Sequence, residues 1–301
     1  MNVFINGCLM DANVDLQGAT TTDCAGGQAD TSEIILPDAA LLNSWEITRG
    51  MTLEIEQDGY STGEMHIDDV LEKPNGTVAI RAVSLSEKAR TQDWACFENI
   101  TLEELARKAA SDLGLKYALY GVNSKTLLRR VVRRNQTWPA FLAMVFRNES
   151  ATIKFDNGTL LAIDYQWAFT QNPARVMKVD DKPNYFQRPR FRTACVRSGL
   201  IRGMATDTAV TGSMSKNLYD EQIYGDQQAI RAAKGVLMAE NLDGEVYRKK
   251  IPFDTSIAAM SRIDLFGHSR ITGNWFVSSV THDFKAKTTD LLMKRCITTI
   301  K

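Results

Sequence analysis

Between Gly50 and Val70 the sequence GMTLEIEQDGYSTGEMHIDDV constrains the fold more than any other stretch of the chain. Met51, Leu53 and Ile55 alternate with Thr52, Glu54 and Glu56, the period of two that gives a strand one apolar and one polar face. Gln57-Asp58-Gly59 supplies a turn, because glycine accepts a positive φ without steric cost. Met65 and Ile67 resume the alternation and Val70 closes it. Near the other end, GNWFVSSVTHDF (Gly273 to Phe284) is a second strand-rich unit. Neither unit holds a nucleophile, a phosphate loop or a metal box, so the pattern points to a structural or assembly part rather than an enzyme.

The amino-terminal hundred residues read as β. Lys73-Pro74-Asn75-Gly76 is a further turn, followed by Val78, Ile80 and Ala82 on one face. Short strands with turns every 8–12 residues or so predict a small sandwich or barrel. The stretch from Thr20 to Ser32, small and polar with Gly26-Gly27, reads as a loop. At Thr101 the pattern changes. Thr101 and Glu104 fit a capping box, with Leu102, Leu105, Ala106, Ala109 and Leu113 on one helical face and Gly114 as the stop. Thr137 opens a second helix with Pro139 in its first turn and an apolar stripe of Trp138, Phe141, Leu142, Val145 and Phe146. Strands at 151–155 and 159–163 flank the hairpin turn Asp156-Asn157-Gly158.

Further on, Gln171 to Arg192 reads as a crossover connection, Thr193 to Met204 as strand and Met214 to Asp226 as loop. A third helix is predicted over Gln227 to Asn241, although Gly235 costs it about 1 kcal/mol against alanine. The last feature is a long hairpin, Asn274 to Phe284 with Phe276, Val280 and Phe284 on a common face, and Thr289 to Ile297. The fold class is therefore α+β, mainly β. Its expected parts are a first β unit (1–96, completed by part of 165–205), an inserted α+β module (97–164) and a second β unit (206–301, with its helix near 227–241).

Composition excludes several classes. Thirty-six basic residues balance 36 acidic ones, which argues against overall attraction to nucleic acid or an anionic membrane. No apolar run approaches the roughly 18 residues of a membrane span, and the amino-terminal stretch MNVFINGCLMDANVDLQG lacks the features of a leader. Assembly in a cytoplasm is the expectation. The cysteines, Cys8, Cys24, Cys96, Cys195 and Cys296, are odd in number and scattered, so free thiols are expected in place of a disulfide framework or a zinc site.

Each candidate for chemistry has a plainer reading. His282-Asp283 could mimic a base and its orienter, but adjacent strand residues point to opposite faces, which makes His282 a packed core histidine. His66 and Asp68 fall on one strand face, with Asp69 pointing the other way; they could hold a metal if a third ligand joined them, yet a solvated polar face is the better reading. Gly267-His268-Ser269 lacks the pattern of a nucleophile elbow. The carboxylate pairs Glu103-Glu104, Asp68-Asp69 and Asp180-Asp181 fit a helix start, a strand and a loop better than a glycosidase cleft. LLRRVVRR, with Arg129, Arg130, Arg133 and Arg134, is read as a strand because of its Val-Val pair, and Arg188, Arg190, Arg192 and Arg197 make a second basic region. Subunit interfaces or solvated edges are the expected uses of both. No catalytic residue, metal ligand or cofactor is assigned.

Taken in order, several motifs resemble the late control D family of phage proteins, the baseplate hub proteins of contractile tails and tail-like particles. They are GMTLEI (Gly50 to Ile55), Gly59-Tyr60, Gly63, IDDV (Ile67 to Val70), TLEELA (Thr101 to Ala106), Trp138 to Phe146 with its hairpin, GNWFV (Gly273 to Val277) and VTHDF (Val280 to Phe284). The resemblance spans nearly the whole chain. Order and spacing carry it, since each motif alone is weak. It implies two similar tube-forming β-barrel domains per subunit with accessory α+β parts, similar to the hub part of the type VI secretion spike. It also implies a homotrimer that joins the tail tube, or a tube-initiator protein, to a central spike among other baseplate proteins. DNA would pass through the channel without specific binding, and no membrane is involved. The chain ends soon after its final hairpin, so a fused spike or hydrolase is not expected. The alternatives are a particle-associated cell-wall hydrolase or peptidase, and a sugar-binding β module with aromatics on a concave face.

Overall fold

The computed structural model describes residues 1–10 and 14–301; residues 11–13, within the stretch read above for a leader, lie outside it. From the amino terminus come β1 (Asn2–Ile5), β2 (Cys8–Leu9), β3 (Gly18–Cys24), β4 (Thr31–Leu36), α1 (Ala40–Trp45), β5 (Thr52–Gln57), β6 (Tyr60–Ser61), β7 (Met65–Glu72) and β8 (Val78–Val83). Next are β9 (Asp93–Thr101), α2 (Leu102–Leu113), β10 (Lys116–Tyr120), β11 (Leu127–Gln136), α3 (Trp138–Asn148), β12 (Ala151–Asp156), β13 (Thr159–Asp164) and α4 (Tyr165–Thr170). The remainder holds β14 (Arg175–Lys178), β15 (Asn184–Gln187), β16 (Thr193–Ser198), β17 (Ile201–Thr206), β18 (Ser215–Tyr219) and α5 (Asp226–Leu242). It ends with β19 (Glu245–Pro252), β20 (Arg262–Phe266), β21 (Gly273–Asp283) and β22 (Thr288–Arg295).

Both ends of the chain enter one mostly antiparallel, 14-stranded sheet. Its main path runs β15-β19-β22-β21-β3-β4-β8-β7-β5-β1-β2, with β6 beside β5, and β20 beside both β21 and β14. The path has two ends, at β15 and β2, where two separate barrels were expected. Asp58 and Gly59 both take positive φ (52° and 83°) at the β5–β6 turn, as do Asn157 and Gly158 (41° and 67°) at the β12–β13 turn. These are the local geometries that Asp-Gly and Asn-Gly favour in hairpins. Leu53, Ile55, Met65 and Ile67 are buried as their alternation requires, each contributing about 1.5–3 kcal/mol when fully enclosed.

Three sequence readings are corrected. Thr20 to Ser32 is not all loop: it contains most of β3 and the start of β4, at the centre of the sheet, joined by residues 25–30, in which Gly26 and Gly27 take positive φ. The threonines of β3 have no apolar period to announce a strand, but they pair with β4 on one side and β21 on the other. The loop expected from Met214 contains β18, parallel to β16. Phe276 does not share a face with Val280, because a bulge between Val277 and Ser279 adds a residue and reverses the alternation. Trp275, Val277 and Val280 therefore enter one core, while Phe276 turns to Tyr165 and Phe169 beside α4.

The connection from Gln171 to Arg192 contributes two strands, and both join the carboxy-terminal part of the sheet: β14 lies parallel to β20, and β15 pairs with β19. β16, β17 and β18 form their own small sheet against α5. The predicted capping box is present: the Glu104 N–H donates to the Thr101 hydroxyl and the Thr101 N–H to the Glu104 carboxylate, while Gly114 ends α2 at φ 73°. LLRRVVRR is strand, β11, paired with β9 over the apolar core of α2 and α3. Gly235, costly for a helix, allows close approach: a Cβ there would lie 1.9 Å from the Arg147 carbonyl oxygen at the end of α3. Gly203 does the same where β17 crosses α5, with 2.0 Å to the Ala229 backbone.

Candidate assembly surfaces

Strand alternation gives the large sheet one continuous polar face. A cross-strand row runs from Lys250 through Asp290, Thr281, Thr22, Thr31, Val83 and His66 to Thr52. A neighbouring row runs Asp283, Thr20, Glu33, Arg81, Asp69. Where β21 meets β3 the groups are short and neutral: the Thr22 and Thr281 hydroxyls are 2.9 Å apart, and Cys24 Sγ lies 3.6 Å from Ser279 Oγ. Charges flank this seam and are partly paired, as in Arg81 with Glu33 at 2.6 Å. A cleft of about 840 Å3 opens over β15, β19, β22 and β21, lined by Asp180, Lys182, Arg248, Lys250 and Asp290 among others.

The opposite face is buried and has a polar row of its own, Thr289, His282, Thr21, Ser32, with Ala82 and Ile67 beyond. His282 is 2% exposed, its Nδ1 lies 3.0 Å from Thr289 Oγ1, and its ring packs edge-on to Tyr60 and Phe253. Burial lowers its pKa, only partly offset by the charge of Asp23. Asp283 lies on the polar face, so no base–orienter pair exists. His66 also lies on the polar face, and His268 is in the turn after β20, where its Nδ1 accepts the Arg270 N–H. The structure does not bring the three histidines together.

The carboxylate pairs have separate structural partners. Asp68 ion-pairs with Arg90 and Arg49, Glu103 accepts the Tyr117 hydroxyl at 3.3 Å, and Asp180 accepts the Tyr247 hydroxyl and pairs with Lys249. Hydrogen bonds from the Thr101 N–H and hydroxyl hold Glu104 below the usual carboxylate range. Among the described residues no three His, Cys, Asp or Glu side chains stand close enough to hold a metal, and no helix is long and apolar enough to cross a membrane. All five thiols are free, with Cys8 and Cys96 exposed and Cys195 buried.

The arginines divide by role. Arg133 is buried, donates to the Gln136 and Thr91 carbonyls, and lies 4.6 Å over the Trp138 ring. Arg129, Arg130 and Arg134 face outward, Arg134 pairing with Glu221 at 2.6 Å. Arg188 covers the Phe186 ring at 4.9 Å and Arg190 lies against Gly244.

Sequence reading missed a buried ionic cluster at the contact between the helical part and the sheet. Lys154 on β12 reaches both carboxylate oxygens of Asp23 on β3, at 2.8 and 2.9 Å, and Asp23 also accepts the Ala259 N–H at 2.7 Å. Burial alone would lower the Lys154 pKa, but Asp23, Asp156 and Asp30 outweigh it and hold the ammonium above its ordinary value. Nearby, Gly26 and Gly27 donate to the Ile153 carbonyl, each at 3.0 Å. The available signal was a lysine among apolar neighbours in Ala151 to Phe155 and an aspartate at an inward position of Thr20 to Cys24.

No family model and no curated protein matches the chain. Solved structures do. The 43 kDa tail protein of prophage MuSo2 from Shewanella oneidensis is similar at a TM-score of 0.75 and 12% identity, over 98% of this chain and 97% of that one. A tail protein from Neisseria meningitidis gives 0.75 and 13%, over 98% and 96%. A type VI secretion component from E. coli, described as structurally similar to the T4 tail proteins gp27 and gp5, gives 0.58 and 9%, over 97% and 76%. The chain therefore has, from end to end, the fold found in these phage tail and secretion-system proteins.

Proposed function

We propose that the chain is a structural hub of a contractile phage tail or tail-like particle, a homotrimeric adaptor between the tail tube and the central spike. The observation that supports this most is the end-to-end likeness of fold to two tail proteins, over 98% of this chain. In this reading 1–96 and 206–301 supply two tube-forming β-barrel units, alike in shape and unlike in sequence, so that three subunits present six units to a six-fold tube. Part of 165–205 is the expected complement of the first unit, and its strands β14 and β15 pair with β20 and β19. The module 97–164 lies outside the tube. The polar face of the sheet, short and neutral at its seam, surrounds a passage for DNA without gripping it. The partners are the tube protein or its initiator, the spike and other baseplate proteins, and assembly takes place in the host cytoplasm.

The hub has no catalytic role. A cell-wall hydrolase or peptidase would need a shifted titratable group open to substrate, and His282 and Asp30, whose pKa values burial shifts, are 2% and 7% exposed. Light scattering on the purified chain and imaging of particles test the proposal. A trimer on the tail axis is expected, together with no soluble fragments from incubation with peptidoglycan. A lasting monomer located away from the axis overturns it, as does fragment release that is abolished by replacing His66, His268 or His282.

A further inference from the structure

The small sheet of β16, β17 and β18 packs one face on α5 and leaves the other uncovered among the described residues. Ala194, Val196 and Ala205 enter the core with α5, so by alternation Cys195 and Arg197 point the other way, with Arg202, Met204 and Tyr219 beside them. Arg197 stands directly opposite Arg202 on one side and Tyr219 on the other. Like charges opposite each other destabilise a sheet, and nothing in the chain relieves this pair. Arg202 donates to Met204 Sδ at 3.1 Å and neither arginine has an ion-pair partner among the described residues. Acids close by are committed elsewhere: Asp220 accepts the Gln222 N–H, Glu221 pairs with Arg134 and Glu240 with Lys216. The same surface is rich in exposed apolar groups. Leu200, in the turn between β16 and β17, is fully exposed, Tyr219 is 68% exposed and Met204 48%.

We infer that this face docks a protein segment of different sequence that carries carboxylates beside apolar side chains. The carboxylates meet Arg197 and Arg202, and the apolar groups meet Leu200, Met204 and Tyr219. A guanidinium takes a carboxylate through two parallel hydrogen bonds, and two of them side by side fit an acidic pair. Bound carboxylates also remove the repulsion between the arginines, so complementarity of charge and relief of strain act together. Arginine and tyrosine flanked by apolar groups are the residue types that carry binding energy at protein interfaces. A nucleic acid would call for a longer basic stripe, and the apolar groups would have no role in holding phosphates. A second copy presenting this same patch would bring four arginines together. In the hub reading the segment belongs to another protein of the particle, but the preference for an acidic, apolar segment does not depend on that reading.

The test uses the full chain and three labelled probes read by fluorescence anisotropy. They are a peptide in which glutamate alternates with leucine, the same peptide with lysine for glutamate, and a DNA oligonucleotide. The glutamate peptide is expected to bind and the lysine peptide not to. Arg197→Glu with Arg202→Glu should weaken binding at least about tenfold and Leu200→Ser about threefold, and added salt should weaken the wild type. Lys125→Glu with Arg129→Glu, the same change of charge at exposed residues elsewhere, should leave binding as it is. Circular dichroism verifies the fold. If the glutamate pair impairs it, Arg197→Gln with Arg202→Gln, which removes the repulsion, should fold and still weaken binding. Folded variants that bind as the wild type does, no binding of the glutamate peptide, or tighter binding of DNA than of the peptide each overturn the proposal. So does self-association, followed by light scattering, that the wild type shows and the glutamine variant loses, because the patch would then join copies. None of these measurements involves a particle, so the hub reading stands or falls separately.

Discussion

Asp30 begins β4's approach to the helical module, and its carboxyl is pushed up to about 8 by burial and by the charge of Asp23. The Cys24 N–H donated to Asp30 and the nearby Lys154 oppose the shift, while Asp156 adds to it. The folded state thus keeps a proton that the unfolded chain releases near 3.8, so this group's contribution to stability is lost as pH rises from there through about 8. His282 acts in the other direction. Its pKa is lowered by burial, so its contribution is present above 6.5 and lost as pH falls from there through the folded value. Below 6.5 the two effects oppose each other, and between 6.5 and about 8 the Asp30 loss acts without opposition from His282, so denaturation midpoints should fall with rising pH there. Asp30→Asn, which keeps an acceptor for Cys24, should flatten the decline between 6.5 and about 8, and His282→Gln should remove the opposing acid-side effect. A slope unchanged by its own substitution would refute that assignment.

At the scale of elements, α5 is held by two close approaches that only glycine permits. Helix propensity by itself says that Gly235→Ala should stabilise α5 by about 1 kcal/mol. The contact says the reverse, since the new Cβ would lie 1.9 Å from the Arg147 carbonyl oxygen and force α3 and α5 apart. The expected outcome is a loss of about 1–3 kcal/mol in denaturant unfolding, as for other overpacked sites. A gain in stability would mean that the two helices do not meet there. The bulge in β21 is a second device at this scale. One extra residue lets a single strand serve two cores, with Trp275 in one and Phe276 in the other.

For the whole molecule, the main path of the mostly antiparallel sheet ends at β15 and β2, and a polar face crosses from one to the other. Sheet edges are kept from uncontrolled pairing by being short, covered, charged or paired with another chain, and β2 and β15 are short, at 2 and 4 residues. If the chain is the hub proposed above, α2 and α3 should lie outside the central channel of assembled particles, because their apolar stripes are already enclosed in their own core with β9, β11 and β12. Imaging that places either helix on the channel wall would contradict this.

Much of the local structure could be read directly from residues. The period of two in Thr52 to Gln57, the Asp-Gly and Asn-Gly turns, the capping box at Thr101 and the strand at Leu127 to Gln136 each depend on rules that act within a few positions. The place of β3 could not be read this way. Its threonines become a central strand only because Thr22 meets Thr281, 259 residues away. The same holds for the Asp23–Lys154 pair, whose partners are separated by 131 residues, and for the reversal of Phe276. Ladder hydrogen bonds and buried charges need a partner from a distant segment, and alternation in one strand is silent about which segment that is. The sequence by itself determined the elements whose pattern is local, such as β5, β11, α2 and α3, and the turns beside β5 and β12. Tertiary structure alone decided that both ends of the chain share one sheet, because only folding brings residues 20–24 beside 279–283.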